Sequence, residues 1–220
     1  MTVLRASTST SQGLASRHVA ALSWAALLFV AAAASVAWYG LPANVWPALP
    51  VAGALTLFLD AFAVRDRANY PLSMAGVVLL GVAISNPPAA ILLAFVSGLL
   101  IKTPRAWDDW REVLGQRLAE SGGRTLALAL VLPWIGGLAL LPKLALLILG
   151  YVLVLHAARY LFSLLWLGAA RLRAALRYIL PGLLLIEIMP LPLAALGAEI
   201  ARTLPWPLVA LGAAGLLGSA

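Results

Sequence analysis

Long apolar stretches, separated by short polar or proline- and glycine-containing segments, make up most of this chain. Eight of them can be drawn, at 19–40, 45–64, 72–85, 87–101, 125–141, 144–168, 178–196 and 204–217. A helix needs about 20 mainly apolar residues to cross the hydrocarbon core of a bilayer. Most of the stretches approach that length. The pattern therefore predicts an all-α, polytopic transmembrane bundle of about six to eight helices.

Two neighbouring stretches, 72–85 and 87–101, are short and are broken at Asn86 and Pro87-Pro88. At a rise of 1.5 Å per residue, each spans only about 21 Å. They form either two short spans or one re-entrant hairpin, and both arrangements return the chain to the same side. Ala90, Ala94 and Gly98 recur at four-residue spacing in the second stretch. Such a stripe of small residues lets another helix approach closely, so we expect internal packing, with a dimer interface as the alternative.

The one long polar connection, 102–124, predicts an amphipathic helix at about 103–121. Thr103 can cap this helix, with Pro104 at its first position. One face then carries Trp107, Trp110, Leu114 and Leu118. We expect a helix lying in the cytoplasmic interface that ends at Gly122-Gly123. It either anchors the fold there or docks a protein partner.

The composition supports a membrane environment for these helices. The chain is 63% hydrophobic and only 10% charged, whereas soluble domains contain about 25% charged residues. So few charges could not cover a surface that faces water, and the lipid bilayer becomes the expected partner of the outer surface. There are no cysteines, which excludes disulfides and thiolate metal sites.

The basic residues predict the orientation. With the N-terminus inside, twelve lie in cytoplasmic segments and only Lys143 and Arg202 lie outside. This asymmetry follows the positive-inside rule and places both termini in the cytoplasm after eight crossings. It also explains the net charge of +7 without nucleic acid. We expect residues 1–18 to be a disordered cytoplasmic tail before a single transmembrane domain at 19–220, the alternative being a signal peptide that includes the first apolar stretch.

Ionisable groups inside apolar stretches are costly and are therefore functional candidates. His156 and Arg159 lie on one helical face, which Tyr160 and Ser163 extend, and Glu187 lies in the next stretch. Antiparallel neighbours would bring Glu187 to the depth of Arg159. The sequence thus predicts a pair of Glu187 with Arg159 or His156. Such a pair either fixes helix register or lines a pocket for a small ligand or a proton.

Other polar residues receive structural interpretations. Asp60 falls near the cytoplasmic end of its stretch, where we expect a boundary charge near Arg65 or Arg67. Catalytic signatures are absent from the sequence: there is no phosphate-binding glycine loop, no HExxH and no GxSxG. With two histidines far apart, we expect no metal, no cofactor and no enzymatic activity.

The stretch YPLSMAGVVLLGVAISNPPAAILLAFVSGLL, at 70–100, resembles the N-terminal multi-span sensor region of bacterial HD-type phosphohydrolases and GGDEF-type signalling proteins. That region is in turn similar to the substrate-binding S-components of energy-coupling-factor transporters. The resemblance implies a bacterial inner-membrane module that binds a small ligand or a partner without catalysis. The alternatives are a structural subunit and a proton-coupled transporter of small solutes.

Overall fold

The computed structural model describes residues 3–41, 43, 49–61, 64–65, 71–72, 75–100, 110–169, 172–173, 189 and 192. Within these residues there are six helices and one pair of two-residue strands. In chain order they are α1 (Val3–Tyr39), α2 (Leu49–Ala61), β1 (Val64–Arg65), β2 (Pro71–Leu72), α3 (Ala75–Ser85), α4 (Pro87–Leu100), α5 (Trp110–Ile135) and α6 (Leu140–Leu167). The expected helical class is confirmed. The two antiparallel strands, with Val64 opposite Leu72, were not predicted.

Two of the helices are long and apolar enough to cross a membrane, by length and composition. They are Ala15–Tyr39 in α1 and Leu141–Leu167 in α6, and they coincide with the predicted stretches 19–40 and 144–168. Helices α2, α3 and α4 are shorter apolar helices. The predicted stretch 204–217, and all of 178–196 except residues 189 and 192, lie outside the described residues.

Helix α1 begins much earlier than expected. It starts at Val3, inside the segment 1–18 for which the sequence predicts a disordered tail. Serine and threonine are only moderately poor helix formers. Residues 3–18 contain one glycine and no proline, so nothing in this segment stops a helix that the apolar stretch propagates backward.

The break between α3 and α4 is where the sequence places it. Asn86 separates the two helices, and its side-chain oxygen accepts a hydrogen bond from the backbone N–H of Ala89 at 3.2 Å. Pro87 occupies the first position of α4, where its missing N–H has no cost. Asn86 is thus the N-cap of α4.

Helix α5 does not end at Gly122-Gly123, as the prediction of an interfacial helix had it. It continues through both glycines to Ile135 as a single helix. A Cβ on Gly122 would lie 2.6 Å from the Cβ of Leu28 on α1, and one on Gly123 would lie 3.2 Å from the Cβ of Ala158 on α6. The glycines therefore serve as sites of close helix packing and do not end the helix.

Helix α5 packs against α1, α4 and α6. It runs parallel to α1, since Leu22 and Leu28 of α1 lie beside Gly115 and Gly122 of α5. It runs antiparallel to α6, whose Phe162 and Ala158 lie beside Gly115 and Gly123.

On the third side, the backbone of Gly98 in α4 lies against Ser121 of α5. Ala90 and Ala94, earlier in the same stripe, are fully buried. The stripe of small residues on α4 therefore packs inside the molecule, as expected.

This arrangement defines one end of the molecule by its positive charge. Residue 17 of α1 and the start of α5 lie there together with the end of α6, because the guanidinium of Arg17 lies beside Gly168 and Leu22 and Phe162 lie beside Gly115. We call this the basic end, and its described side chains include Arg17, Arg111, Arg117 and Arg173. Lys143, at the start of α6, lies at the opposite end.

Two apolar clusters fill the interior, one toward each end. The cluster near the basic end contains Ala21, Ala25, Phe162 and Trp166. The larger cluster contains residues of α3, α4, α5 and α6, among them Leu80, Ile91, Leu128 and Leu147. On α5 the first cluster reaches Ala119 and the second begins at Ala127. The buried residues between these positions are mainly polar or glycine.

Close packing at Gly122 generates a testable prediction. Gly122→Val should lower the melting temperature in detergent, because its Cβ would lie 2.7 Å from the backbone carbonyl carbon of Leu28. Overpacking of this kind costs about 1–3 kcal/mol. The matched control is Gly136→Val, since a Cβ there meets nothing within 4 Å. Equal melting temperatures for the two variants would contradict the described α1–α5 contact.

Candidate functional site

Four charged side chains meet in the interior, between the two apolar clusters. Asp60 lies in the last turn of α2, Glu120 and Arg124 lie one turn apart on α5, and Arg159 lies on α6. Each is at most 4% exposed. Charged residues are almost never so buried unless they are paired. We refer to these four residues as the charge cluster.

Arg124 and Asp60 form a bidentate ion pair. Arg124 donates from Nη1 to Asp60 Oδ2 at 2.9 Å and from Nη2 to Asp60 Oδ1 at 3.0 Å. Its Nη1 also donates to Ser97 Oγ on α4 at 3.2 Å. Two parallel bonds between a guanidinium and a carboxylate are strong and fix the geometry of both groups. One arginine thus joins α5 to α2 and α4.

Glu120 and Arg159 form a second bidentate pair, between α5 and α6. Arg159 donates from Nε to Glu120 Oε1 and from Nη2 to Glu120 Oε2 at 2.9 Å. Glu120 Oε2 also lies 3.3 Å from Arg124 Nε, an ion pair without hydrogen-bond geometry. The four residues therefore alternate in charge, from Asp60 through Arg124 and Glu120 to Arg159. Their two negative and two positive charges balance.

Short polar side chains surround the cluster and satisfy backbone carbonyls. Ser121 donates to the carbonyl of Phe95 on α4 at 2.8 Å, and Thr125 donates to the carbonyl of Ser121 at 2.7 Å. Tyr151 of α6 is buried and lies within electrostatic range of Arg124. With Ser97, these residues make a polar layer across the bundle.

The charge cluster includes one predicted site residue, Arg159. The other predicted site residues that the structure describes lie in different surroundings. Arg159 is buried and paired inside the bundle, and Glu120 supplies its described carboxylate partner. Tyr160, the next residue, is 44% exposed, while His156 and Ser163 are half-buried. The role of this face as the wall of a pocket for a small ligand or a proton stays a prediction. Glu187 lies outside the described residues, so its pairing with Arg159 or His156 stays a prediction.

Asp60 is buried, which corrects the expectation of a boundary charge, while the side chains of Arg65 and Arg67, near which it was expected, lie outside the described part of the chain. Its carboxylate is buried and binds Arg124, because α2 packs beside α4 and carries Asp60 to the level of Ser97. Glu120 and Arg124 were themselves missed, since both fall in the segment assigned to the cytoplasmic surface. The feature that could have indicated their burial is the sequence around them. Residues 119–125 contain only small side chains besides these two charges, which is typical of a packed helix crossing.

The structure describes one of the two tryptophans that were predicted to lie at the membrane interface. Trp110 begins α5, is largely exposed and lies under the guanidinium of Arg111, 5.6 Å from its ring centroid. Trp107 lies outside the described residues. At the same end, His18 stacks on Trp166 with ring centroids 4.1 Å apart.

The chemistry available to the cluster is ion pairing and hydrogen bonding. Both carboxylates are engaged by guanidinium groups that stay protonated. Among the described residues, no group of three or more His, Asp or Glu side chains could hold a metal ion. No known protein family, curated protein or solved structure matches the chain.

A double-mutant cycle measures the coupling within the cluster. Glu120→Gln alone and Arg159→Gln alone should each destabilise the protein by about 3–5 kcal/mol, because each leaves a buried charge uncompensated. The double variant should lose less than the sum of the two. Chemical unfolding in detergent gives the three values. Arg173→Gln, exposed at the basic end, is the control and should change stability by less than about 0.5 kcal/mol.

Additive losses in this cycle would contradict the pairing of Glu120 with Arg159. The same cycle with Glu187→Gln in place of Glu120→Gln tests the remaining prediction for Arg159. Non-additivity there would place Glu187 beside the cluster.

Proposed function

We propose that this chain is a multi-pass integral membrane protein of the bacterial inner membrane that works as a non-enzymatic binding module. The observation that carries the proposal is the distribution of polar and apolar side chains in the bundle, which is the reverse of that in a soluble protein. Four charges are buried, while large apolar side chains are exposed on the outside. Examples are Leu27 on α1, Leu130 on α5, and Leu149 and Leu153 on α6. Exposed apolar surface of this kind suits contact with lipid.

Exposed tryptophans support a membrane placement. Trp110 and Trp134 lie near the two ends of α5 and are both largely exposed. The 24 positions between them correspond to about 36 Å of helix. That length falls between the roughly 30 Å hydrocarbon core and the 40–45 Å bilayer with its headgroups. Tryptophan is enriched at both membrane interfaces.

Charge supports the orientation, with the basic end in the cytoplasm. Arg17, Arg111, Arg117 and Arg173 lie at that end, against Lys143 at the other. In this placement the charge cluster lies at the depth of Leu28, near the middle of the apolar part of α1. An unpaired charge there costs roughly 2.5–3.5 kcal/mol on insertion scales, which accounts for the mutual pairing of the four residues.

For the binding role, we propose a sensor-like or S-component-like module that takes a small ligand or a protein partner within the membrane. The resemblance of residues 70–100 to such regions supports this role, as does a polar layer inside an apolar bundle. A second candidate is a structural subunit. The bidentate pairing of the cluster favours it, because paired charges fix helix positions without a ligand.

Cysteine labelling tests the placement in the membrane. The chain has no cysteine of its own, so single variants report one position each. Gly136→Cys and Leu41→Cys should react with a membrane-impermeant thiol reagent on intact cells. Ala15→Cys and Arg173→Cys should react only after permeabilisation. Labelling of all four without permeabilisation, or extraction of the protein from membranes by alkaline carbonate, would overturn the proposal.

Mass spectrometry of the purified protein separates the two candidate roles. A binding module should release a small molecule from the native protein in stoichiometric amount. The double variant Glu120→Gln/Arg159→Gln should release less, because it removes charge from the polar layer without leaving a lone charge. A native protein that releases only phospholipid would favour the structural subunit.

A further inference from the structure

Three buried polar atoms have no hydrogen-bond partner among the residues that the structure describes, and all three belong to α5. They are Gln116 Oε1, Arg117 Nε and Arg124 Nε. Arg124 Nε lies 3.3 Å from Glu120 Oε2, but the geometry is not that of a hydrogen bond. Buried polar atoms in proteins almost always bind a protein group or an ordered water. These atoms therefore indicate that a bound molecule, and not a protein side chain, supplies their hydrogen-bond partners.

The three atoms follow the axis of α5 from the basic end to the charge cluster. Gln116, Glu120 and Arg124 recur at four-residue spacing, and Arg117 and Arg124 are two turns apart on nearly the same face. From residue 116 to residue 124 the helix rises about 12 Å. Gln116 and Arg117 are half-buried, whereas Arg124 is fully buried, so this polar column begins nearer the surface and ends in the interior.

The chemistry of the column selects a neutral ligand that both donates and accepts hydrogen bonds. The two Nε–H groups need acceptors, whereas Gln116 Oε1 needs a donor. An anion would meet the carboxylates of Asp60 and Glu120, and a cation would meet the guanidinium groups. Water satisfies both kinds of group without either repulsion, and buried waters usually bind about three polar partners.

We propose that α5 carries a water-binding column that opens at the basic end and reaches Arg124 in the charge cluster. This inference rests on the proposed membrane placement, in which the column connects the cytoplasm with the polar layer at mid-depth. Hydration of this kind reduces the desolvation cost of the buried ions. It also gives small neutral, hydrophilic solutes a route to the cluster.

Two matched cysteine variants on α4 test the inner end of the column. Ser97→Cys places a thiol beside Arg124, since Ser97 Oγ accepts a hydrogen bond from that residue. Ala94→Cys, one turn earlier, places a thiol in the apolar cluster at equal burial. The probe is a small, neutral, hydrophilic methanethiosulfonate, applied to the full-length protein in detergent. Rates are measured over a range of pH and expressed per thiolate, so that they report access of the reagent to the thiol.

We expect Ser97→Cys to react about a hundredfold faster than Ala94→Cys, because a dry site is labelled only after local opening. Equal, slow rates would overturn the column. Equal, fast rates would also overturn it, since they would show general opening of the bundle. If Ser97→Cys does not fold, Ser121→Cys takes its place against Ala94→Cys with the same expectation, since Ser121 lies in the polar layer and is as fully buried as Ala94.

The outcome is independent of the membrane placement. The ratio of rates is measured in detergent, whereas the labelling from the two sides of the membrane is measured in cells. If the column does not exist, Gly136→Cys and Arg173→Cys are still labelled from opposite sides of the membrane. Failure of the membrane placement changes that labelling and leaves the ratio intact.

Discussion

The arrangement of helices depends on the requirement that a charge in an apolar interior be met by an opposite charge. Arg124 and Arg159 each bind a carboxylate through two nitrogen atoms. A guanidinium fork fits a carboxylate in one plane and at one distance. A slip of one turn between α5 and α6 would move Glu120 about 5.4 Å from its place opposite Arg159. The pairs therefore fix the register of α5 against α2 and α6, which apolar packing alone leaves less strictly determined.

Small residues provide the close helix contacts that such pairs require. The backbone of α5 approaches α4 at Gly98 and α1 at Gly122, so that the side chains of Arg124 and Glu120 lie between helices and not outside them. Each glycine inside a helix costs about 1 kcal/mol relative to alanine. Removing one member of a buried ion pair costs about 3–5 kcal/mol. An unpaired charge in the interior would therefore cost more than the weaker helix propensity of the glycines that let the pairs form.

The local pattern predicted the helical class and one helix boundary, but it did not predict the charge cluster. The apolar stretches gave the helical class, and Asn86 with Pro87 gave the break between α3 and α4, because both are properties of adjacent residues. Continuity of α5 was missed, since Gly122 and Gly123 stop an isolated helix but fit a packed one. Asp60 lies 64 positions from Arg124, and no periodicity of the sequence connects residues so distant. Their pairing follows from the packing of α2 beside α4.

The two carboxylates occupy different positions in the charge cluster. Asp60 binds Arg124 at one end, whereas Glu120 lies between Arg124 and Arg159. Withdrawal of Asp60 with α2 would leave Arg124 still close to Glu120. Withdrawal of Glu120 would leave two guanidinium groups without that carboxylate. Loss of Asp60 removes the pair that joins α5 to α2 and leaves the α5–α6 pair in place. Loss of Glu120 removes the pair that joins α5 to α6 and also takes away negative charge beside Arg124.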